Sequence, residues 1–137
     1  MAEFEIANVI EYSDGEDPRK IVLDTILPLV KGLDIYRNEV LLVTAPNRTK
    51  SKGGILYVPK TQQEQRFQGK IGLIVGLGEI AFKDEELWPN EETRPVIGTW
   101  VFFRNADTNE CSIGGYSCRF ILDDKIRGRC PACDTVR

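Results

Sequence analysis

The stretch Asn47–Gly78, with the sequence NRTKSKGGILYVPKTQQEQRFQGKIGLIVGLG, governs how the rest of the chain is interpreted. Its first part, Asn47–Pro59, is polar and basic as far as the adjacent glycines Gly53 and Gly54, and an apolar run follows them. Two adjacent glycines leave the backbone easy to bend and costly to order. The apolar run, Ile55–Val58, is therefore either the first strand after a turn or a hydrophobic segment displayed on a flexible loop.

The second part of the same stretch, Gly69–Gly78, predicts one buried β-strand, because apolar residues fill it between glycines. The same signals predict three further β elements: a strand over Glu39–Ala45, a strand over Gly98–Arg104 and a hairpin over Glu110–Leu122. The hairpin turns on Gly114 and Gly115, a strong two-residue turn signal. Short strands, glycine turns and little helix predict an all-β fold, a small barrel with one N-terminal helix.

The chain before this β-rich region is predicted to be an acidic arm followed by a short helix. Residues 1–17 hold six acidic side chains and no lysine or arginine, which indicates either a solvated arm or one that orders on a partner. Asp17 as N-cap and Pro18 as the first helical residue begin a helix. We expect the helix to cover about Pro18–Leu27, to be stopped by Pro28 and Gly32, and to pack on the domain or on a neighbouring subunit.

The remaining segments complete a division into three parts. The acidic segment Ile80–Pro95 contains two prolines and is predicted to be a surface excursion. The last nine residues, RCPACDTVR, are predicted to be irregular. The chain is therefore divided into an N-terminal arm with a short helix, a β-rich region and a cysteine-containing tail.

Composition excludes several classes of function. The 137 residues carry a net charge of −3, which gives no reason to expect a nucleic-acid partner. No stretch approaches the apolar length that spans a bilayer, and the acidic N-terminus is not a secretory signal, so we expect a cytoplasmic protein. The chain has no histidine, which removes Ser-His-Asp and Cys-His catalysis and histidine metal sites. We therefore expect a protein that is not an enzyme.

Two patterns that resemble chemical sites are better explained otherwise. Gly76–Ala81 matches G-x-G-x-x-A after a strand, but a dinucleotide site needs a helix next, and acidic residues and Pro89 follow instead. This motif is interpreted as a turn. The pairs Glu85-Glu86 and Glu91-Glu92 lie in the proline-broken segment, where solvated charge is the simpler interpretation, because acid–base catalysis requires a desolvated pocket.

The four cysteines leave three interpretations open. Cys130 and Cys133 have the C-x-x-C spacing of a zinc knuckle, and Cys111 and Cys118 would complete a four-thiolate set, although a second C-x-x-C is missing. If the hairpin turns on its glycine pair, Cys111 and Cys118 face each other across it, which suits a metal or a disulfide. Free thiols in a reducing cytosol are the first interpretation, ahead of zinc and of disulfides.

The motif residues of the central stretch resemble the GroES co-chaperonin family. The pattern is T-K-S-x-G-G-I-[VL], a following proline, a link containing Gln and Glu, and Q-G-K-[VI]-x-x-[IV]-x-G-x-G. The matching residues are Thr49, Lys50, Ser51, Gly53, Gly54, Ile55, Leu56, Pro59, Gln63, Glu64, Gly69, Gly76 and Gly78. A weaker likeness extends over Leu33–Gly128, with Gly98, Val101 and Phe103 fitting a family strand. The resemblance therefore implies an N-terminal extension over residues 1–32, a GroES-like β-barrel domain over 33–128 and a cysteine-containing tail over 129–137.

The resemblance implies a GroES-like barrel with an extended loop, assembled into a seven-fold homo-oligomeric ring. The partner-binding residues would be Gly53, Gly54, Ile55, Leu56, Tyr57 and Val58. Ile55, Leu56 and Tyr57 would insert into apolar grooves of a chaperonin ring, and no cofactor would be needed. Tyr57 stands where the family usually has leucine, which could shift the choice of chaperonin. The resemblance also implies a roof hairpin within residues 80–95.

A virion structural protein is the alternative. The extension over residues 1–32 has no match in the family, and the cysteine-bearing tail suits cross-linking. A bacteriophage could reuse the same fold as a capsid decoration or cement subunit, whose partner would be a capsid protein. The co-chaperonin, of a phage type and acting in the host cytoplasm, is preferred because the loop motif is retained almost residue for residue.

Overall fold

This computed structural model describes residues 10–13, 15–50 and 71–131 of the chain. The described residues contain eight β-strands and one α-helix, together with three short 3-10 helices. The helix is α1 (Pro18–Val30). The strands are β1 (Glu11–Ser13), β2 (Glu39–Thr44), β3 (Asn47–Lys50), β4 (Ile71–Leu77), β5 (Trp100–Phe102), β6 (Thr108–Ile113), β7 (Tyr116–Leu122) and β8 (Gly128–Cys130). The predicted β-rich fold with an N-terminal helix is therefore confirmed.

Six of the strands form one antiparallel sheet in the order β6-β7-β2-β4-β5-β8, and β1 and β3 form a separate parallel pair. A closed barrel would require β6 to pair with β8. Within the described residues these two strands are the edges of the sheet, so the predicted barrel closure is not found. The two edge strands explain this difference, because β8 has three residues and β6 carries the polar sequence TNECSI, in which no residue is fully buried.

Both faces of the central strands are buried, which accounts for their nearly continuous apolar sequences. One face packs against α1 through a cluster that includes Val22, Ile26, Leu41, Val43, Leu73 and Trp100. The other face carries a second cluster that includes Val40, Leu42, Ile74, Phe82, Val101 and Phe103. The sheet is therefore a middle layer between the helix and the segment that follows β4.

The β6–β7 hairpin turns where the glycine pair predicts. Gly114 and Gly115 have φ angles of 60° and 86°, the left-handed values that a two-residue hairpin turn requires at both positions. The resulting register places Cys111 opposite Cys118. Both predictions for this hairpin are confirmed.

The helix begins as predicted and ends later than predicted. The Asp17 side chain accepts a hydrogen bond from the Arg19 N–H at 3.0 Å, and Pro18 is the first helical residue. Pro28 does not end the helix, which continues to Val30, because Val30 packs against the α1-side cluster. No helix in the described ranges is both long and apolar enough to cross a membrane.

Replacing Pro28 by alanine is expected to raise the free energy of unfolding by about 2 kcal/mol, because a helix-interior proline costs about 3 kcal/mol through its missing N–H and its clash with the preceding turn, and the more flexible unfolded alanine chain offsets about 1 kcal/mol of that gain. Pro28 is exposed, so no buried contact is lost. Urea unfolding measures the change. Pro18→Ala is the matched control, because the N–H at a first helical position has no helical partner. A P28A protein no more stable than P18A would contradict this account.

Two further segments bear on the predictions for the C-terminal half. Arg129 and Cys130 belong to β8, so the prediction of an irregular tail is wrong for them, because β5 offers unpaired backbone groups there. Residues 132–137 lie outside the described residues. Residues 80–95 form turns and one short 3-10 helix, Glu91–Thr93. Most of the segment is exposed, as predicted for a surface excursion, but Ala81 and Phe82 are buried in the second cluster. The implied roof hairpin is not present in it.

Candidate partner-binding site

The base of the predicted binding segment is held by two neighbouring core strands. β2 and β4 are antiparallel neighbours, with Thr44 opposite Gly72. The Ala45 N–H donates a hydrogen bond of 2.9 Å to the Ile71 carbonyl oxygen. Residues 45 and 71, between which the candidate segment lies, are therefore neighbours at one end of the sheet. The predicted binding residues Gly53, Gly54, Ile55, Leu56, Tyr57 and Val58 lie outside the described residues.

The first residues beyond β2 pair with the N-terminal arm. The backbone of β3 runs parallel to β1, with Glu11 opposite Asn47 and Tyr12 opposite Arg48. Tyr12 is buried in the α1-side cluster, with 7% of its surface exposed. Part of the acidic arm is therefore ordered on its own chain, beside the base of the candidate segment.

Two exposed apolar side chains, Leu122 and Ile80, lie at the opposite end of the sheet from this base. Leu122 pairs with Glu39, the first residue of β2. Ile80 follows the end of β4, and its N–H donates a hydrogen bond of 3.1 Å to the Arg37 carbonyl oxygen, just before β2. The large apolar side chains exposed in the described residues are Leu29, Leu33, Tyr36, Ile80, Leu87, Val96, Ile97 and Leu122. They provide control positions for any test of the segment over residues 53–58.

The structure brings two of the four cysteines together. Cys111 and Cys118 are cross-strand partners, and both are free thiols. Cys130 lies on β8, four strand positions from β7, or about 19 Å along a sheet with neighbouring strands about 4.8 Å apart. The described residues contain no group of three or more Cys, Asp or Glu side chains that could hold a metal ion. Cys133, the fourth predicted zinc ligand, lies outside them.

The environment of the cysteine pair keeps both thiols protonated at neutral pH. Burial, with the Cys111 thiol nearby as the second cause, raises the pKa of Cys118 to about 12. Burial also raises the pKa of Cys111, and the Glu110 carboxylate adds to that shift. Neither thiol is therefore a strong nucleophile of the kind that catalysis requires.

The other motifs behave as predicted from the sequence. Turns follow Gly78, where a dinucleotide site would need a helix. The paired carboxylates Glu85-Glu86 and Glu91-Glu92 are exposed. Their solvation leaves no desolvated pocket that would favour acid–base chemistry there.

A buried carboxylate that the sequence does not single out lies at the Leu122 end of the sheet. Asp123 is 2% exposed and accepts two hydrogen bonds of 2.8 Å, one from the Asn38 side-chain amide and one from the Phe82 backbone N–H. Phe82 has a φ of 60° and packs edge-on against Trp88, with ring centroids 4.7 Å apart. Asp123 therefore fixes the segment that covers the second cluster. Nothing in the sequence distinguishes it from Asp124, which is exposed.

Comparison with known proteins identifies no family for this chain. No family model matches the chain, and no curated protein matches it either. The likeness to the GroES co-chaperonins therefore rests on the motif residues between Asn47 and Gly78 themselves.

Proposed function

We propose that this protein is a co-chaperonin whose residues Gly53–Val58 dock on a chaperonin ring. The proposal is supported by the motif residues of the central stretch, which resemble the loop of the GroES family. The observation that carries it is the closed base of the segment, where Ala45 hydrogen-bonds to Ile71. A segment whose two ends are held together can be presented to a partner without disturbing the sheet.

The energetics of such docking require several copies of the chain. Each large apolar side chain buried on the partner contributes about 1.5–3 kcal/mol. Ordering each residue of the segment costs about 1–2 kcal/mol. Three apolar anchors therefore contribute about 4.5–9 kcal/mol, whereas ordering six residues costs about 6–12 kcal/mol, so one copy binds weakly at best. A homo-oligomer that presents several copies at once binds tightly through effective concentration.

The double variant Ile55→Ser with Leu56→Ser is expected to remove chaperonin binding and to keep the fold, because it deletes two of the three proposed apolar anchors. Pull-down with a nucleotide-loaded chaperonin ring measures binding. Circular dichroism and size-exclusion chromatography measure the fold and the oligomer. If the variant unfolds, these residues belong to the core and the proposal fails.

Ile80→Ser with Ile97→Ser is the matched control. It removes the same kind of apolar surface at side chains that are 56% and 46% exposed, at the other end of the sheet. We expect this control to bind the chaperonin as the wild type does. Equal loss of binding in both double variants would contradict docking through residues 53–58.

The same experiment addresses the alternative of a capsid-decorating subunit. Such a subunit would bind capsid protein and would not be retained on the chaperonin ring. If the wild-type protein fails to bind the ring but is present in purified virions, the co-chaperonin proposal is wrong and the capsid-decorating subunit takes its place. Wild-type protein retained through Ile55 and Leu56 and absent from virions supports the proposed function.

A further inference from the structure

The β6–β7 hairpin places two thiols directly opposite each other at the edge of the sheet. The turn fixes the register, in which Ile113 pairs with Tyr116 and Cys111 pairs with Cys118. Both cysteine side chains contribute to the cluster on the α1 side of the sheet. The pair is therefore formed by the hairpin alone and does not depend on the tail cysteines.

The register sets a distance that suits a disulfide. The two residues that flank a two-residue hairpin loop form a hydrogen-bonded pair, and such pairs alternate along the ladder. Counting from Ile113 and Tyr116, the cysteine pair is also hydrogen-bonded, with Cα atoms about 5.5 Å apart. Disulfides bridge Cα separations of about 4.4–6.8 Å.

The two thiols differ in access to solvent. Cys118 is fully buried, whereas Cys111 is half-buried on the edge strand. Among the described residues, β6 has β7 as its single sheet neighbour. A small oxidant therefore meets Cys111 first, and Cys118 is placed to react only with its partner.

We propose that Cys111 and Cys118 form a reversible dithiol–disulfide site, oxidised by exchange with a low-molecular-weight disulfide such as oxidised glutathione. The Cys111 thiol loses its proton to solvent, and its sulfur attacks one sulfur of the small disulfide, which releases one small thiolate. Cys118 then loses its proton and attacks the Cys111 sulfur, which breaks the mixed disulfide and releases the second small thiolate. The thiolates take up the two protons, so two protein thiols and one small disulfide give one protein disulfide and two small thiols.

The register also makes this disulfide easy to reduce. In directly opposite residues of an antiparallel pair the Cβ atoms are about 4.5–5.5 Å apart, and hydrogen-bonded pairs have the longer distances in this range. A disulfide requires about 3.5–4.5 Å, so closure draws the strands together. Disulfides formed against such a displacement are the more readily reduced ones. When oxidised, the bond ties the edge strand β6 to β7. The raised pKa values of both thiols make the exchange slow at neutral pH and faster in alkali.

The test uses the full chain with Cys130→Ala and Cys133→Ala, which retains only the hairpin cysteines. The folded protein is incubated with excess oxidised glutathione, and its intact mass is measured after free thiols are alkylated. We expect a product that has lost two hydrogen atoms, carries no glutathione and takes no alkylating label. Excess reduced glutathione should restore both thiols.

Two single variants in the same background separate exchange from simple modification. With Cys118→Ala, Cys111 should hold one stable glutathione adduct. With Cys111→Ala, the buried Cys118 should remain unmodified while circular dichroism shows the fold intact. A glutathione adduct that persists on Cys111 when Cys118 is present would overturn the proposal. Two thiols that both remain free would overturn it as well.

Discussion

Gly78→Ala is expected to lower the free energy of unfolding by about 3 kcal/mol or more, because the added methyl group has no space. A Cβ atom at this position would overlap the Arg37 carbonyl oxygen and lie 2.7 Å from the Tyr36 carbonyl oxygen. Both obstacles are backbone atoms, which cannot move aside as the end of a flexible side chain can. The expected loss is therefore large for the addition of one methyl group.

The surrounding hydrogen bonds explain why the backbone cannot relax. The Gly78 N–H donates to the Glu39 carbonyl oxygen at 2.7 Å, and the Ile80 N–H donates to the Arg37 carbonyl oxygen at 3.1 Å. Arg37 itself has a φ of 58°, an uncommon value for a residue other than glycine. Separating Gly78 from Arg37 would lengthen both hydrogen bonds.

Urea unfolding of G78A beside G32A measures this effect. Gly32 is exposed, and a Cβ atom there would meet no other atom within 4 Å. The control is therefore expected to change stability by no more than about 0.5 kcal/mol. If G78A is as stable as G32A, the turn after β4 must be able to shift as a unit, and the close approach to Arg37 would not be a constraint.

Local sequence signals predicted much of the fold. The apolar runs of β2 and β4 indicated buried strands, since both faces of these strands are covered. The glycine pair of the β6–β7 turn fixed a register, and that register correctly paired Cys111 with Cys118. Asp17 and Pro18 located the start of α1. In each case the information lies within a few residues of the element.

Features that depend on distant contacts were not predicted. The end of α1 depends on where Val30 packs, and β8 depends on a free edge of β5. Leu41 pairs with Gly76 and Leu42 with Ile74, so β4 has one extra residue, Val75, at this point. Such a bulge is set by the neighbouring strand, and the sequence of one strand does not indicate it.

The candidate sites also divide into those that contiguous residues predict and those that depend on distant contacts. The partner-binding segment was predicted from contiguous motif residues, and the structure adds the closed base between Ala45 and Ile71. The prediction of a four-thiolate zinc site could not be judged without the strand order, which places Cys111 and Cys130 on opposite edge strands of the sheet. Asp123 was missed because its two hydrogen bonds reach residues 85 and 41 positions away in the sequence.

Asp123→Ala is expected to lower the free energy of unfolding by about 2–3 kcal/mol, because the buried Phe82 N–H left without an acceptor costs about 1–3 kcal/mol and the partly buried Asn38 amide also loses its acceptor. The carboxylate accepts from the Asn38 amide and from the Phe82 N–H, both at 2.8 Å. Phe82 would then have to keep its left-handed backbone conformation without this hydrogen bond. Urea unfolding measures the loss, and near-ultraviolet circular dichroism reports the packing of Phe82 on Trp88.

Two variants separate the role of the carboxylate from loss of charge. Asp124→Ala removes the same charge at an exposed position and is expected to change stability by no more than about 0.5 kcal/mol. Asp123→Asn keeps one acceptor oxygen for the Phe82 N–H, and its new amide can donate to a reoriented Asn38 side chain, so an intermediate loss is expected. If D123A and D124A unfold at the same urea concentration, the contact between Phe82 and Trp88 must hold this segment, and the carboxylate contributes little.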